Sequence, residues 1–430
     1  MVRDGVTRQV LDNGLTVLIR EMHHAPVASS WLWFRVGSRD EVPGITGISH
    51  WVEHMMFKGT PKVPKGELDR LIARHGGYSN AMTWIDWTAY HETLPAAQID
   101  LALEIEADRM RNALFDPGEV EAERAVVISE RQGAENDPGF RLGEAVHSTA
   151  FRVHPYRHAV IGELEDLERI TRDDLYAHYC RYYTPNNAVL VLSGDVQSAV
   201  MLSRITSLFG ELPAGSSVTP VDVAERPQTE MRRVVVEGDG TTTFLILAFH
   251  APRADDPDFL PMLVLNAILV GIGKLSPFGS GSANRSSRLY KALVDADLAS
   301  SVAGSLPITL DPYLYTLFAT ARSGCAPQEI EAMMWDQVEQ VVLNLAAPEE
   351  LGRALKQAKA HLAYSSESVT NQALWFGFAE VLQDYTWFTN LFDRLNQVTR
   401  EDVRRVASKY LKRSNCTVGW YVPYPVDGKT

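Results

Sequence analysis

The chain has 430 residues, of which 45% are hydrophobic and 22% charged, the balance of a globular protein with apolar material for more than one core. A disordered, collagen-like or fibrous chain is thereby excluded. Lysine and arginine number 41 against 54 aspartates and glutamates, for a net charge of −13, so a general nucleic-acid binder, which needs a basic face for phosphate, is not expected.

In chain order, residues 9–11 and 15–19 read as strands flanking the tight-turn triplet Asp12-Asn13-Gly14. Residues 27–36, rich in valine and aromatics, read as a buried strand. After a loop with Pro43 and Gly44, residues 46–58 read as a helix stopped by Gly59, and 65–75 as another ended by Gly76-Gly77. Residues 78–94 read as two strands around a turn and 99–112 as an amphipathic helix. Asp116-Pro117-Gly118-Glu119 opens a helix running to about residue 134. Asp116 can cap it, Pro117 suits its first position and Glu119 can close a capping box.

A repeat follows. Ile170-Thr171-Arg172-Asp173-Asp174-Leu175 resembles Val398-Thr399-Arg400-Glu401-Asp402-Val403, and the same alignment carries Asn187 onto Asn415. In both copies a capped helix leads into a strand. The chain therefore reads as two halves of one fold, residues 1–213 and 228–430, joined by a polar linker, 214–227, with Gly215, Ser216 and Ser217. Strands mixed with helices in each half give an α/β (α+β) sandwich. Cys180, Cys325 and Cys416 are too scattered for a disulfide framework or an all-cysteine zinc site. No apolar run reaches the length of a membrane-spanning helix. The start, MVRDGVTRQVLDNG, lacks the apolar run of a signal peptide. A bacterial cytoplasmic location is expected, with the periplasm open if a leader has been removed.

The chemical centre is His50-Trp51-Val52-Glu53-His54. At about 100° per residue, the histidines stand about 40° apart on one helix face, with Glu53 on the same side. Zinc favours such a pair with a third protein ligand and an open position for water, and a nearby carboxylate can take that water's proton. The flanks Ile45, Ile48, Met55, Met56 and Phe57 are apolar, a setting in which unligated charge is costly. The third ligand should be an acid brought in by folding, and the helix from Asp116 offers Glu121, Glu123 and Glu130. Glu123 and Glu130 lie two turns apart, so one can bind metal while the other supports the site. Periodicity does not rank them.

HxxEH is the reverse of the HExxH zinc-protease signature. With LDNGLTVLIRE, WFRVGSRDE, GITGISHWVEHMMFKGT, YSNAMTWIDWTAYHETLP, EADRM, ERAVVISER, HPYRHAVIG and YYTPNNAVLVLSGD in family order, the sequence resembles the pitrilysin-like M16 zinc metallopeptidases, the inverzincins. Within them it is most similar to the M16B branch of mitochondrial processing peptidase and its bacterial heterodimeric relatives. The resemblance implies two related domains, each a mainly antiparallel sheet covered by helices, together forming half of a clamshell. It implies a Zn²⁺ held by His50, His54 and Glu130, with Glu53 as the base that activates the zinc-bound water and Glu123 as a supporting acid. It also implies that a peptide substrate adds as a further strand along Asn80 and Ala81.

The second half carries no zinc motif. Its matching helix, LPMLVLNAILVG, offers Asn266 among apolar residues. The arginine and tyrosine with which the family stabilises the tetrahedral oxyanion fall here near Val294 and at Ser300. Their absence implies the zinc-bearing subunit of a heterodimer, whose paralogous partner supplies the pair. A homodimer using other donors, or a non-catalytic assembly subunit that keeps the fold, are the alternatives. The stretch 271–287 (GIGKLSPFGSGSANRSS) resembles a glycine-rich family loop and lacks the GxxxxGK[ST] of a phosphate-binding loop. A chamber lip, a subunit contact and a flexible loop remain open for it.

Overall fold

The computed structural model describes residues 2–3, 5–272, 280–282 and 284–424. Within the stretch 271–287, residues 273–279 and 283 lie outside the described residues. Contacts divide the chain into two compact units, each assembled from three segments. The first takes Met1–Gln132, His158–Asp222 and Ser366–Thr389; the second takes Gly133–Arg157, Val223–Ser365 and Asn390–Thr430. Two segments thus cross the contiguous division expected from sequence: 133–157 joins the second unit and 366–389 the first.

The first unit is built on a seven-stranded sheet of β1 (Val2–Arg3), β2 (Val6–Val10), β3 (Thr16–Glu21), β4 (Val27–Phe34), β5 (Tyr78–Thr83), β6 (Thr88–Pro95) and β7 (Ala188–Gly194). Their order is β1-β2-β3-β7-β4-β6-β5. Only β3 and β7 run parallel; the other neighbours are antiparallel. β5 therefore ends the sheet, and among the described residues no strand pairs with its outer edge. β4 and β7 are interior and nearly wholly buried, as expected where both faces of a sheet are covered. Along β4 the side chains alternate between two cores. Ala28, Leu32 and Phe34 join Ile48, Trp51, Val52 and Met55 of the helix Ile48–Met55. Trp33, on the opposite face, packs against Trp87 and Phe378, the latter from the helix Val369–Leu382. That helix approaches so closely that a Cβ on Gly377 would lie 2.0 Å from the Trp33 Nε1 atom.

The second unit carries a six-stranded sheet of β8 (Arg232–Gly238), β9 (Phe244–Ala251), β10 (Ser280–Ser282), β11 (Ala299–Ser305), β12 (Tyr313–Ala321) and β13 (Cys416–Pro423), ordered β10-β11-β12-β9-β13-β8. Here β13 and β8 are the parallel pair and the rest are antiparallel. The helix Pro138–Ala150 packs on this sheet, with a Cβ on Gly419 of β13 placed 2.3 Å from Val146 Cγ2. Each unit is thus an α/β layer of a mainly antiparallel sheet and helices.

The repeat seen in the sequence is repeated structure. Thr171 and Asp174 form a reciprocal capping box at the start of the helix Arg172–Tyr182, and Thr399 and Asp402 do the same for Arg400–Tyr410. After each helix an asparagine amide ties the chain down. Asn187 donates to Tyr182 O and Arg35 O; Asn415 donates to Tyr410 O and His250 O. The strand that follows, β7 or β13, then enters the middle of its sheet. Among the described residues no helix is long and apolar enough to cross a membrane.

Gly377 gives a direct test of the seating of the helix Val369–Leu382. In an open helix position, glycine to alanine gains up to about 1 kcal/mol. Here the added methyl meets the Trp33 indole, so Gly377→Ala is expected to lose about 1–3 kcal/mol through overpacking. The midpoint of denaturant unfolding should fall, and a rise would contradict the packing.

Candidate metal centre

The helix that carries HxxEH is shorter than its sequence pattern. It begins at Ile48 because Gly47 has φ 86°, a left-handed backbone that cannot extend the helix. A Cβ there would also lie 2.5 Å from Ile161 O. It ends at Met55, after which Phe57 N–H and Lys58 N–H donate to His54 O and Met55 O, tightening the last turn. Gly47 has no side chain to cap the helix, and Glu41 takes that role. Its carboxylate accepts from Gly47 N at 2.8 Å and Ser49 N at 2.9 Å, satisfying amides at the positive end of the helix. His158 Nε2 lies 3.1 Å from the same carboxylate.

One turn of helix brings His50 and His54 together, with Nε2 atoms 3.2 Å apart. The helix Pro117–Glu135 supplies the acid. It buries Val120, Glu123, Val127 and Arg131 on one side. Arg124 fastens it by stacking its guanidinium over the Trp51 ring, 4.9 Å from the centroid, and donating to Leu167 O and Ile170 O. Glu130 Oε2 then lies 3.7 Å from His54 Nε2 and 4.0 Å from His50 Nε2. Ligand atoms about 2.0–2.1 Å from a tetrahedral zinc stand about 3.3–3.4 Å apart. The observed spacings fit one such ion after small side-chain adjustments. Glu130 is 45% exposed against 19% for each histidine, so the site opens to solvent on its side, where a water or substrate oxygen has access. Among the described residues, no other group of three or more histidine, cysteine or acidic side chains converges in this way.

Glu123 does a different job. Its Oε1 sits 2.8 Å from His54 Nδ1, and its other oxygen pairs with Lys58 Nζ. Desolvation raises the Glu123 carboxyl, but the Lys58 and His54 hydrogen bonds outweigh it and hold the group below its ordinary value. An ionised carboxylate only accepts, so His54 keeps its proton on Nδ1 and turns the lone pair of Nε2 towards His50 and Glu130. Burial, with the neighbouring His54 second, drives His50 down to about 4. His50 is thus held in the neutral form that ligates metal. The side chains fit a zinc ion in number, type and spacing.

Glu53, within electrostatic reach of His54 and Glu130, also bonds to β5. Thr83 Oγ1 donates to Glu53 Oε2 at 2.6 Å. Burial raises the Glu53 carboxyl, with the Thr83 hydrogen bond opposing. Asn80 and Ala81 lie on β5, the edge strand, where Asn80 Oδ1 accepts from the Ala81 amide at 2.9 Å. Thr83, Glu41, Lys58 and Arg124 escape sequence reasoning because nothing in their local spacing marks them; each acts on the site from another element or turn.

The second unit has no counterpart of these ligands among the described residues. Every residue of the helix Phe259–Leu269 is buried, and Asn266 is engaged by the Tyr315 hydroxyl at 3.1 Å. Val294 ends a short helical turn and Ser300 lies on β11. Nearby Arg288 is held by two hydrogen bonds to Glu350, at 2.9 and 2.7 Å.

Comparison with known proteins extends this picture. Residues 16–163 match the model of insulinase (peptidase family M16), and residues 169–358 match that of the peptidase M16 inactive domain. The chain is 28% identical over 419 residues to the zinc protease PqqE of Helicobacter pylori, covering 96% of this chain and 92% of the relative. It is 26% identical over 412 residues to a probable mitochondrial-processing peptidase subunit beta of Arabidopsis thaliana, covering 93% and 75%. A crystal structure of a protease from Helicobacter pylori superimposes with a TM-score of 0.91 at 27% identity, covering 97% of this chain and 99% of that one.

The arrangement separates two acids on one helix by experiment. Glu123→Ala removes the partner of His54 Nδ1 and should weaken zinc binding about 10–100-fold, as read by competition with a chromophoric chelator. Glu130→Ala, which removes the acid that lies against both histidine Nε2 atoms, should weaken it further. Equal affinities for Glu123→Ala and the parent would refute the supporting role.

Proposed function

The chain belongs to peptidase family M16, and on that premise we propose that it is the zinc-bearing subunit of an endopeptidase that hydrolyses peptides or unfolded segments. The observation that carries the reading is the convergence of His50, His54 and Glu130 within 4.8 Å of one another, with Glu53 alongside. Relatives named as zinc proteases and as beta subunits of mitochondrial-processing peptidase support it.

In this reading His50, His54 and Glu130 hold the metal. Zinc, when bound, polarises the scissile carbonyl and lowers the pKa of water. Glu53 takes the proton of the attacking water on a carboxyl oxygen and returns it to the departing amine nitrogen. A carboxyl raised by burial suits both halves of that task, since it must accept a proton and then release it. The peptide lies along the free edge of β5 as an added strand, with Asn80 and Ala81 among the residues it meets. Val294 and Ser300 stand where the family's arginine and tyrosine fall, so this chain supplies no oxyanion donors there. We assign that contribution, usually several kcal/mol of transition-state stabilisation, to a paralogous M16 subunit that closes a chamber with this one.

Glu53→Gln keeps the shape and removes the base. It should retain one zinc per chain, by elemental analysis, while hydrolysis of an unfolded peptide falls about 10²–10⁴-fold. Turnover at the parental rate would rule out Glu53 as the base. Assays of the chain alone and with a paralogous subunit separate the assemblies: full activity alone would identify a homodimer, and zinc without activity in either assay a non-catalytic subunit.

A further inference from the structure

We propose that Thr83 is the positioning residue that aims Glu53, locking the base to the edge strand on which the peptide docks. The proposal rests on the reading of Glu53 as the base and adds a second residue to that site.

The hydroxyls leave little freedom in how this lock is made. Thr83 sits at the last position of β5, directly opposite Thr88 at the first position of β6. The two Oγ1 atoms are 3.4 Å apart. Thr88 is fully buried, and its Oγ1 donates to the Val36 carbonyl at 2.9 Å, an acceptor that has no proton to return. The single Thr88 proton is therefore spent. The Thr83 proton has two acceptors in range, Thr88 Oγ1 at 3.4 Å and Glu53 Oε2 at 2.6 Å. The carboxylate is the nearer and stronger one. The bond accordingly runs from Thr83 to Glu53, while Thr88 donates the opposite way to Val36, so neither hydroxyl donates to the other.

Glu53 needs such a support. It lies on a helix of two turns, next to His54, and its ligating neighbours are aimed by other groups: His54 by Glu123, and the helix itself by Glu41. A glutamate has three side-chain torsions, and the Thr83 hydroxyl gives this one its short hydrogen bond at 2.6 Å, with the Thr83 backbone amide a weaker second influence. Because Thr83 shares β5 with Asn80 and Ala81, its hydroxyl is rigid with the backbone edge that a peptide would extend. The distance from base to a docked peptide is thus set through one short strand, and a misplacement of about 1 Å is enough to cost about 10²-fold in rate.

The test compares Thr83→Val, which keeps the shape and deletes the hydroxyl, with Thr83→Ser, which keeps it. Expected for Thr83→Val in the zinc-loaded assembly is a fall in kcat of about 10–100-fold. KM and zinc content should stay unchanged, the Kd of a substrate-length peptide for the zinc-free chain should hold within about twofold, and Thr83→Ser should restore kcat to within a few-fold. Parental kcat in Thr83→Val would overturn the proposal. So would a loss that comes with weakened peptide binding and is not rescued by serine, since the residue would then serve the strand alone. Crystal structures of the parent and both variants supply a readout that needs no turnover. The Glu53 carboxylate should occupy one position in the parent and Thr83→Ser and several in Thr83→Val; a single unchanged position in Thr83→Val would overturn the proposal even if the chain proved to have no peptidase activity. Absence of turnover with the carboxylate behaving as expected would instead remove the peptidase reading and leave the positioning role standing.

Discussion

The contact between His54 Nδ1 and Glu123 organises the site. An imidazole offers one lone pair only when its other nitrogen holds the proton, and an ionised carboxylate at 2.8 Å fixes that choice. Lys58, on the far oxygen of Glu123, keeps the acid ionised despite its burial. The same contact fastens the histidine helix to the helix Pro117–Glu135, so it also decides where Glu130 stands. Ligand chemistry and helix placement are therefore a single event, reinforced by Arg124 on Trp51.

Around this centre the polar groups divide the labour by charge. Glu41 closes the positive end of the histidine helix from one side. Burial holds His50 neutral, while the same burial raises Glu53. A short segment thus contains a neutral imidazole and a carboxyl raised above its ordinary value, both produced by desolvation acting on groups of opposite kind. Beneath it, the buried Arg109 guanidinium lies 4.3 Å from the Tyr90 ring centroid and pairs with Glu92 and Glu106. Two carboxyls and an aromatic face offset the cost of burying this cation, and Tyr90 and Glu92 tie it to β6, the strand next to β5.

The two units show what happens when one repeat keeps a site and the other does not. Both retain the capping box, the asparagine tie and the central strand, because these serve the backbone. In the second unit the helix equivalent to the histidine helix is buried throughout. Apolar residues stand there instead, and Asn266 is met by the Tyr315 hydroxyl and the Gly271 carbonyl.

Much of this was legible in the residues alone, and for a definite reason. Helical periodicity places His50, Glu53 and His54 on one face whatever surrounds them, strand alternation exposes the pairing of β5 with β6, and cap residues announce where helices begin. These are local rules, acting over four residues or fewer. Which of Glu123 and Glu130 faces the metal position was not legible, because two residues seven apart project alike until a second helix is set at a particular depth. Nor were the helices that cross between units, since an amphipathic face records that it is covered but not by which sheet. Thr83 and Glu41 stayed hidden for the same cause: a lone hydroxyl or carboxylate acquires meaning only from the group that the fold brings within hydrogen-bonding distance.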